Sequence, residues 1–371
     1  MAEIRTTHAG SLPRPDDLAD MIWRRMDGED VDDAAIEARL DTAVAEVVQK
    51  QRDAGIDVVS DGEQSKTGFS TYVGDRFTGF EGRSEFQADD VADFPELAMR
   101  LFNTPTMAHV VFSNCTGPVE MKDKEAVHKD IARLKSALNG GDGFMGAVSP
   151  GQIAFNYPDQ HYGSHEEYLG ALADALKYEY NAIIDAGLNL QIDSPDMAMA
   201  AHCRSVGSSV GDWHHHLPLA VEALNAALEG IPPEKVRFHV CWGNYGGPHH
   251  KDVPLRDIIE QVYKVNAGTI YPEGANPRHE HEWRVFEEAK LPDDKKIILG
   301  AIDVKSNYIE HPQVVADRLV RLAKIVGKDR VMGGTDCGFD TFIRFSLVDP
   351  KVAWLKLQSL AQGAELASSQ V

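Results

Sequence analysis

The residue types best suited to chemistry in this 371-residue sequence are two cysteines, a histidine and a glutamate. His239-Val240-Cys241 is the sharpest element. On a strand, residues two apart face the same side, so an imidazole and a thiolate at this spacing can reach one ion. Nitrogen and sulfur donors together suit Zn²⁺. Glu273 ends the next strand-like run, and Cys337 closes the last one. His239, Cys241, Glu273 and Cys337 are therefore the expected metal ligands, with zinc as the cofactor. Three firm protein donors and a weak or displaceable fourth describe a catalytic rather than a structural centre. Cys115 and Cys203 have no such company and read as ordinary thiols.

Further histidines are grouped at His214-His215-His216, at His249-His250 and at His279 and His281, in loops or helix starts near strand ends. A second metal and a pocket lining are both compatible with that placement, and plain polar loop residues are the simpler expectation. Gly243, Gly246 and Gly247 follow the metal motif instead of opening a helix at phosphate-loop spacing, so they carry no phosphate site.

Such donors need a scaffold that brings strand ends together. Strand-like runs are expected at Ile4 to Ser11, Asp57 to Ser60, Gly143 to Val148, Asn189 to Asp193, Val236 to Cys241, Thr269 to Glu273, Ile297 to Asp303 and Val331 to Thr335. Helical spacing marks Asp32 to Ala54, where Ile36, Leu40, Ala43, Val47 and Val48 share a face, and His165 to Ala186, with Leu169, Leu172, Leu176 and Ile183. Further helices are expected near Asp123 to Leu138 and Trp213 to Leu228. Eight strands, each followed by a helix, predict an α/β chain folded as a single (β/α)₈ barrel across 1–371. An excursion at about 68–140, with an extended piece at Val110-Val111-Phe112, interrupts it between the second and third strands. In such a barrel the reactive groups sit where strands end. Glu63, Asp193, His239, Cys241, Glu273, Asp303, Lys305, Asp336 and Cys337 all cluster there.

Bulk properties narrow the partners. Hydrophobic residues make up 43% and charged ones 26%, enough for a substantial core. A formal charge of −21 argues against nucleic acid or an anionic membrane as partner. No apolar run approaches the roughly 20 residues of a membrane helix, and Met1-Ala2-Glu3-Ile4-Arg5 has no signal-peptide character. Four scattered cysteines make no disulfide framework, so a reducing cytoplasm is expected.

Taken together, the sequence resembles the catalytic barrel of cobalamin-independent methionine synthase and its relatives over almost its whole length. The resemblance runs through Thr6-Thr7-His8-Ala9-Gly10-Ser11-Leu12-Pro13, Asp61-Gly62-Glu63, Gln191-Ile192-Asp193, His239-Val240-Cys241, the Glu273 strand, Asp303-Val304-Lys305-Ser306 and Asp336-Cys337-Gly338. It implies a thiol that binds zinc, loses its proton and attacks an electrophilic carbon. It also implies that His8, Ser11, Glu63 and Asp193 bind the substrate, the two carboxylates facing the ammonium group of homocysteine. The pattern departs from that of the full-length synthase. There is room for one barrel, and no tryptophan follows Gly146-Ala147-Val148, where the chain reads Ser149-Pro150-Gly151-Gln152-Ile153-Ala154-Phe155. Lys305 stands where the synthase has a histidine, and Asp193-Ser194-Pro195 replaces Asp-Glu-Pro.

Single-barrel relatives include epoxyalkane:coenzyme M transferases (2-hydroxypropyl-coenzyme M lyases), which look similar around His239-Val240-Cys241-Trp242-Gly243-Asn244-Tyr245 and Asp303-Val304-Lys305-Ser306. There a thiolate opens an epoxide, and Lys305 with Asp303 is the expected catalytic pair, the lysine protonating the alkoxide. A salt bridge from Lys305 to Asp303 or to a substrate carboxylate is the bland alternative. The expected function is thus methyl transfer to a small thiol such as homocysteine. Epoxide-to-thiol transfer, and a non-catalytic zinc or methyl carrier, are the alternatives. The partners implied are a thiol and a methyl or alkyl donor, with a homo-oligomer left open.

Overall fold

A computed structural model describes residues 3–371. Met1 and Ala2, part of the N-terminus read for a leader, lie outside the described residues. Six parallel strands follow one another around the sheet: β1 (Phe144–Val148), β2 (Asn189–Asp193), β3 (Val236–Val240), β4 (Thr269–Pro272), β5 (Lys296–Ile302) and β6 (Val331–Thr335). Two shorter segments join the ends of this sheet. Thr6 bridges Gly333 of β6 and Val59 bridges Gly143 beside β1, both in parallel. Between the two segments, the Val58 N–H donates to the Thr6 carbonyl at 3.0 Å. The ring therefore contains the eight expected strands in the expected order.

The first two are bridges rather than full ladders, for a local reason. Asp57 accepts the Thr6 N–H at 2.7 Å and the Thr6 hydroxyl at 2.9 Å, so a side chain takes a donor that a neighbouring strand would otherwise use.

Helices cover the ring where apolar spacing placed them. Asp33–Asp53 is capped by Asp32, which accepts from the Ala34 N–H, and buries Ile36, Leu40, Ala43, Val44, Val47 and Val48. Lys124–Leu138, His165–Asp185, Trp213–Ala227, Leu255–Lys264, Pro312–Val326 and Pro350–Gln370 complete the layer. After β4 the helix shrinks to the turns Glu282–Arg284 and Val285–Glu288. No described helix is long and apolar enough to cross a membrane.

The excursion contains short helices at Tyr72–Arg76, Asp89–Ala92, Pro95–Phe102 and Pro105–His109. Val110–Phe112 forms no ladder; the pairing falls instead on Asn114–Cys115 with Phe80–Glu81. A second ribbon pairs Phe86–Ala88 with Cys203–Ser205, tying the excursion to the loop after β2. This places its residues from Arg83 to Phe112 over the C-terminal mouth of the ring, where they roof a cavity.

The interior has little slack at Gly300 of β5. A Cβ there would stand 2.4 Å from Asp336 Oδ1, 2.9 Å from the Asp336 Cα and 3.1 Å from the Glu273 Cα. Two of those neighbours are backbone and cannot rotate away. Gly300→Ala is expected to cost about 1–3 kcal/mol, whereas Gly170→Ala, on an exposed helix face with nothing within 4 Å, is expected to gain up to ~1 kcal/mol. Denaturant midpoints of the two variants check this; equal midpoints would show that the β5 position is not tightly packed.

Candidate metal centre and substrate cavity

Three ring strands deliver the four donor groups. His239 lies on β3 and Cys241 directly after it, Glu273 follows β4, and Cys337 lies two residues beyond β6. All four are buried. One ligand atom each from His239, Cys241 and Cys337 falls within 4.8 Å of the others. Cys337 Sγ stands 3.7 Å from His239 Nε2 and 3.8 Å from Glu273 Oε1.

The tautomer of His239 is set from behind. Its Nδ1 is 3.0 Å from the Tyr271 carbonyl, which can only accept, so the proton sits there and the Nε2 lone pair faces the cysteines. The thiols share charge unequally. The hydrogen bond from Cys337 draws Cys241 down to about 5, while Cys337 itself is pushed up by the same bond and by burial. Burial alone would lower His239, but the Cys241 thiolate beside it raises it to about 9. A nitrogen aimed at two sulfurs, one of them anionic, fits Zn²⁺ as a donor set once the imidazole gives up its Nε2 proton to bind.

Glu273 stands at the rim of this group. Its Oε1 accepts the Trp242 N–H at 3.1 Å, and its Oε2 accepts from Asn276 Nδ2 at 2.6 Å and Lys305 Nζ at 3.3 Å. Despite burial, which would raise it, the Lys305 ammonium holds Glu273 below the usual carboxylate range. Asn276 is in turn fixed by Asp336, whose carboxylate accepts the N–H groups of Gly274, Ala275 and Asn276. Neither Asn276 nor this use of Asp336 was anticipated. A short Gly-Ala-Asn run after a strand-end glutamate was the only available signal.

The donors open into a cavity of about 750 Å³. Ser11, Glu63 and Asp193 line it with His239, Cys241 and Cys337. Glu63 is held at φ 56°, a left-handed conformation unusual for a residue with a side chain. A Cβ on Gly146 would lie 3.3 Å from Glu63 Oε1 and 3.4 Å from Asp193 Oδ2. The two carboxylates thus converge over Gly146, a ring position that has no side chain. Glu63 Oε2 is buried with no hydrogen-bond partner. Burial, then the neighbouring Asp193 charge, pushes Glu63 up to about 8 against the opposing pull of Lys66. Burial likewise raises Asp193 to about 6.

Three expected residues lie elsewhere. His8 does not line the cavity: its Nε2 is 2.7 Å from Gln51 Oε1 and its ring packs edge-on to Phe144, with burial lowering it to about 3. It is a neutral wall residue. Lys305 and Asp303 are also absent from the lining. Lys305 pairs with Glu273 rather than Asp303, and the Glu273 charge raises it although burial opposes. Asp303 is occupied by the Lys305 N–H at 2.9 Å and the Ser306 hydroxyl at 2.6 Å. These contacts hold both side chains outside the cavity lining.

A family profile described as "Cobalamin-independent synthase, Catalytic domain" matches residues 4–348. Similar curated proteins include the 2-hydroxypropyl-CoM lyase of Xanthobacter autotrophicus, 24% identical over 99% of this chain and 96% of that protein. The methionine synthase of Thermococcus kodakarensis is 26% identical over 99% and 94%. The solved B12-independent methionine synthase from Shewanella sp. W3-18-1, in complex with selenomethionine, superposes with a TM-score of 0.74 at 24% identity, covering 100% of this chain and 99% of that one. The profile match spans most of the sequence, and the chain belongs to the cobalamin-independent methionine synthase family.

Proposed function

We propose that the protein is a zinc-dependent S-alkyltransferase that moves a methyl group onto a small thiol carrying an ammonium group, as homocysteine does. The observation that carries this reading is the pair Glu63 and Asp193, buried side by side in the same cavity as His239, Cys241 and Cys337, with Glu63 Oε2 left without a hydrogen-bond partner. Two adjacent buried carboxylates are costly when both are ionised. A substrate ammonium offsets that cost and seats the thiol end toward the three donors.

Zinc, when bound, would supply the charge that keeps a substrate sulfur deprotonated near neutral pH. His239, Cys241 and Cys337 would hold it, with Glu273 as the displaceable fourth group. Glu273 is kept in reserve by Lys305, Asn276 and the Trp242 N–H. The substrate sulfur then attacks the methyl carbon of the donor, which leaves with the electron pair of the broken bond.

Charge also discriminates against the epoxide reading with coenzyme M. Arg83 is the one arginine or lysine lining the cavity among the described residues, against Glu63, Glu85, Asp89 and Asp193. A sulfonate thiol or a polyglutamate tail would be repelled. The lysine needed as acid for an alkoxide is turned away, onto Glu273. Phe69, Phe86, Phe112, Phe155 and Phe342 give the rest of the cavity an apolar wall suited to an uncharged or cationic donor.

Incubating zinc-loaded protein with a panel of thiols against methyl donors and epoxides, read by product mass, tests the reading. A thioether from homocysteine and a methyl donor is expected; product only from coenzyme M and an epoxide would replace it. His239→Ala and Cys241→Ser should each lose bound zinc, measured by metal analysis, and more than about 1,000-fold in turnover.

Glu63→Gln should raise KM for an amino-acid thiol about 10- to 100-fold, since a hydrogen bond to a charged group is worth ~1.5–3 kcal/mol. Titration gives a second signature. As pH falls through 8 and then 6, Glu63 and Asp193 take up protons and lose their attraction for ammonium. Affinity for the amino-acid thiol should therefore rise between pH 5 and 8, while that for its deaminated analogue stays flat. Parallel pH profiles for both thiols would remove the carboxylate pair from the binding site. The sign for stability is opposite: the folded chain keeps a proton on Glu63 that the unfolded chain has lost, so Glu63→Gln should stabilise the ligand-free protein more at pH 8 than at pH 5.

Lys305→Gln should weaken zinc binding about 10- to 100-fold in a chelator competition without removing a limb of the pH–rate profile. Loss of a basic limb would restore Lys305 as the acid.

A further inference from the structure

Two of the histidines expected to be plain loop residues, His249 and His279, instead meet His202 in a second buried cluster around Asp252. His202 and Cys203 come from the loop after β2, Asp90 from the excursion helix Asp89–Ala92, His249 and Asp252 from the loop after β3, and His279 from the loop after β4. Ligand atoms of Asp90, His202 and Cys203 all lie within 4.8 Å of one another, the same span as in the first centre. Both ring nitrogens of His202 lack a hydrogen-bond partner although its side chain is only 5% exposed. Asp252 Oδ1 lies 3.3 Å from His202 Nε2 but is not aligned to accept from it, and has no other partner.

Buried polar atoms left unpaired in this way are rare, because each forfeits its hydration. A spacing of 3.3 Å without hydrogen-bond alignment is what two ligands of one ion show: at zinc–ligand distances of ~2.0–2.1 Å, tetrahedral neighbours stand about 3.3 Å apart. The surroundings hold the donors in place. His249 Nδ1 and His279 Nε2 lie 2.8 and 2.9 Å from Asp252 Oδ2, and Trp242 stacks on His279 at 3.9 Å. The Tyr245 hydroxyl donates to Asp90 at 2.8 Å. His249 accepts a left-handed backbone, φ 55°, to reach Asp252.

We propose that Asp90, His202 and Cys203 bind a second zinc ion, with Asp252 beside His202. Nitrogen, sulfur and carboxylate donors suit that metal. On binding, the Cys203 thiol gives its proton to solvent. The ion would staple the excursion, through Asp90, to the loop after β2, and so fix the roof of the cavity. This does not depend on which thiol or donor the protein uses.

Metal analysis of the purified full-length chain should find two zinc ions. His202→Gln or Cys203→Ser should leave one; a wild-type content of one, unchanged in both variants, overturns the site. Should either variant fail to fold, cobalt(II) added to Cys241→Ser/Cys337→Ser gives an independent reading. Thiolate-to-cobalt charge transfer is expected there, from Cys203, and must vanish on adding Cys203→Ser; its absence in the double variant overturns the site. Amide hydrogen exchange over Asp89–His109 should slow at least 10-fold when the second equivalent of zinc binds. Unchanged exchange would refute the staple.

Discussion

Strand direction is the constraint from which the site follows. All ring segments run the same way, so every strand ends on one face, and parallel register then decides which ends are neighbours. Asp193 pairs with His239, and His239 with Tyr271. Adjacent strands stand about 4.8 Å apart, which brings the Asp193 carboxylate beside the His239 imidazole. The same register puts the Tyr271 carbonyl within 3.0 Å of His239 Nδ1 and so aims the other nitrogen at Cys337. Reversing one strand would remove its end from the cavity and break this chain of positions.

Charge is distributed over that face in two styles. Asp336 and Glu273 accept from backbone, amide and lysine donors. Glu63 keeps one oxygen without a partner, Asp193 accepts from Gln191, and burial pushes both upward. The contrast separates the two pairs where burial does not, since all four are buried.

Much of this was legible in the sequence. Most of the eight strands could be placed because they are short, largely apolar runs alternating with helical patterns, and the His239-Val240-Cys241 spacing works on any strand. Orientation behind the first layer was not legible. His8 sits in a motif shared with the family, yet a glutamine from the next helix, Gln51, claims its ring. Lys305 is two residues past Asp303, and nothing in the spacing says that its side chain crosses to Glu273. The excursion was opaque for another reason: its ribbons are two or three residues long and pair with partners such as Cys203–Ser205, more than 100 positions away. Local periodicity carries no trace of such pairings. Loops after three different strands supply His202, His249 and His279, and that hid their meeting around Asp252.

The roof and the floor of the cavity have separate origins in the chain. The floor is assembled from strand ends scattered between Ser11 and Cys337, each tied into the ring's hydrogen bonding, whereas much of the roof comes from the single stretch between Arg83 and Phe112. A change on the floor is therefore felt by two neighbouring strands at once. A change in the roof is felt mainly within that stretch and its few anchor points. The molecule is thus a workbench beneath a separable hood: rewriting one contiguous run of codons would redraw the upper part of the cavity, while the strand-end groups below stay where they are.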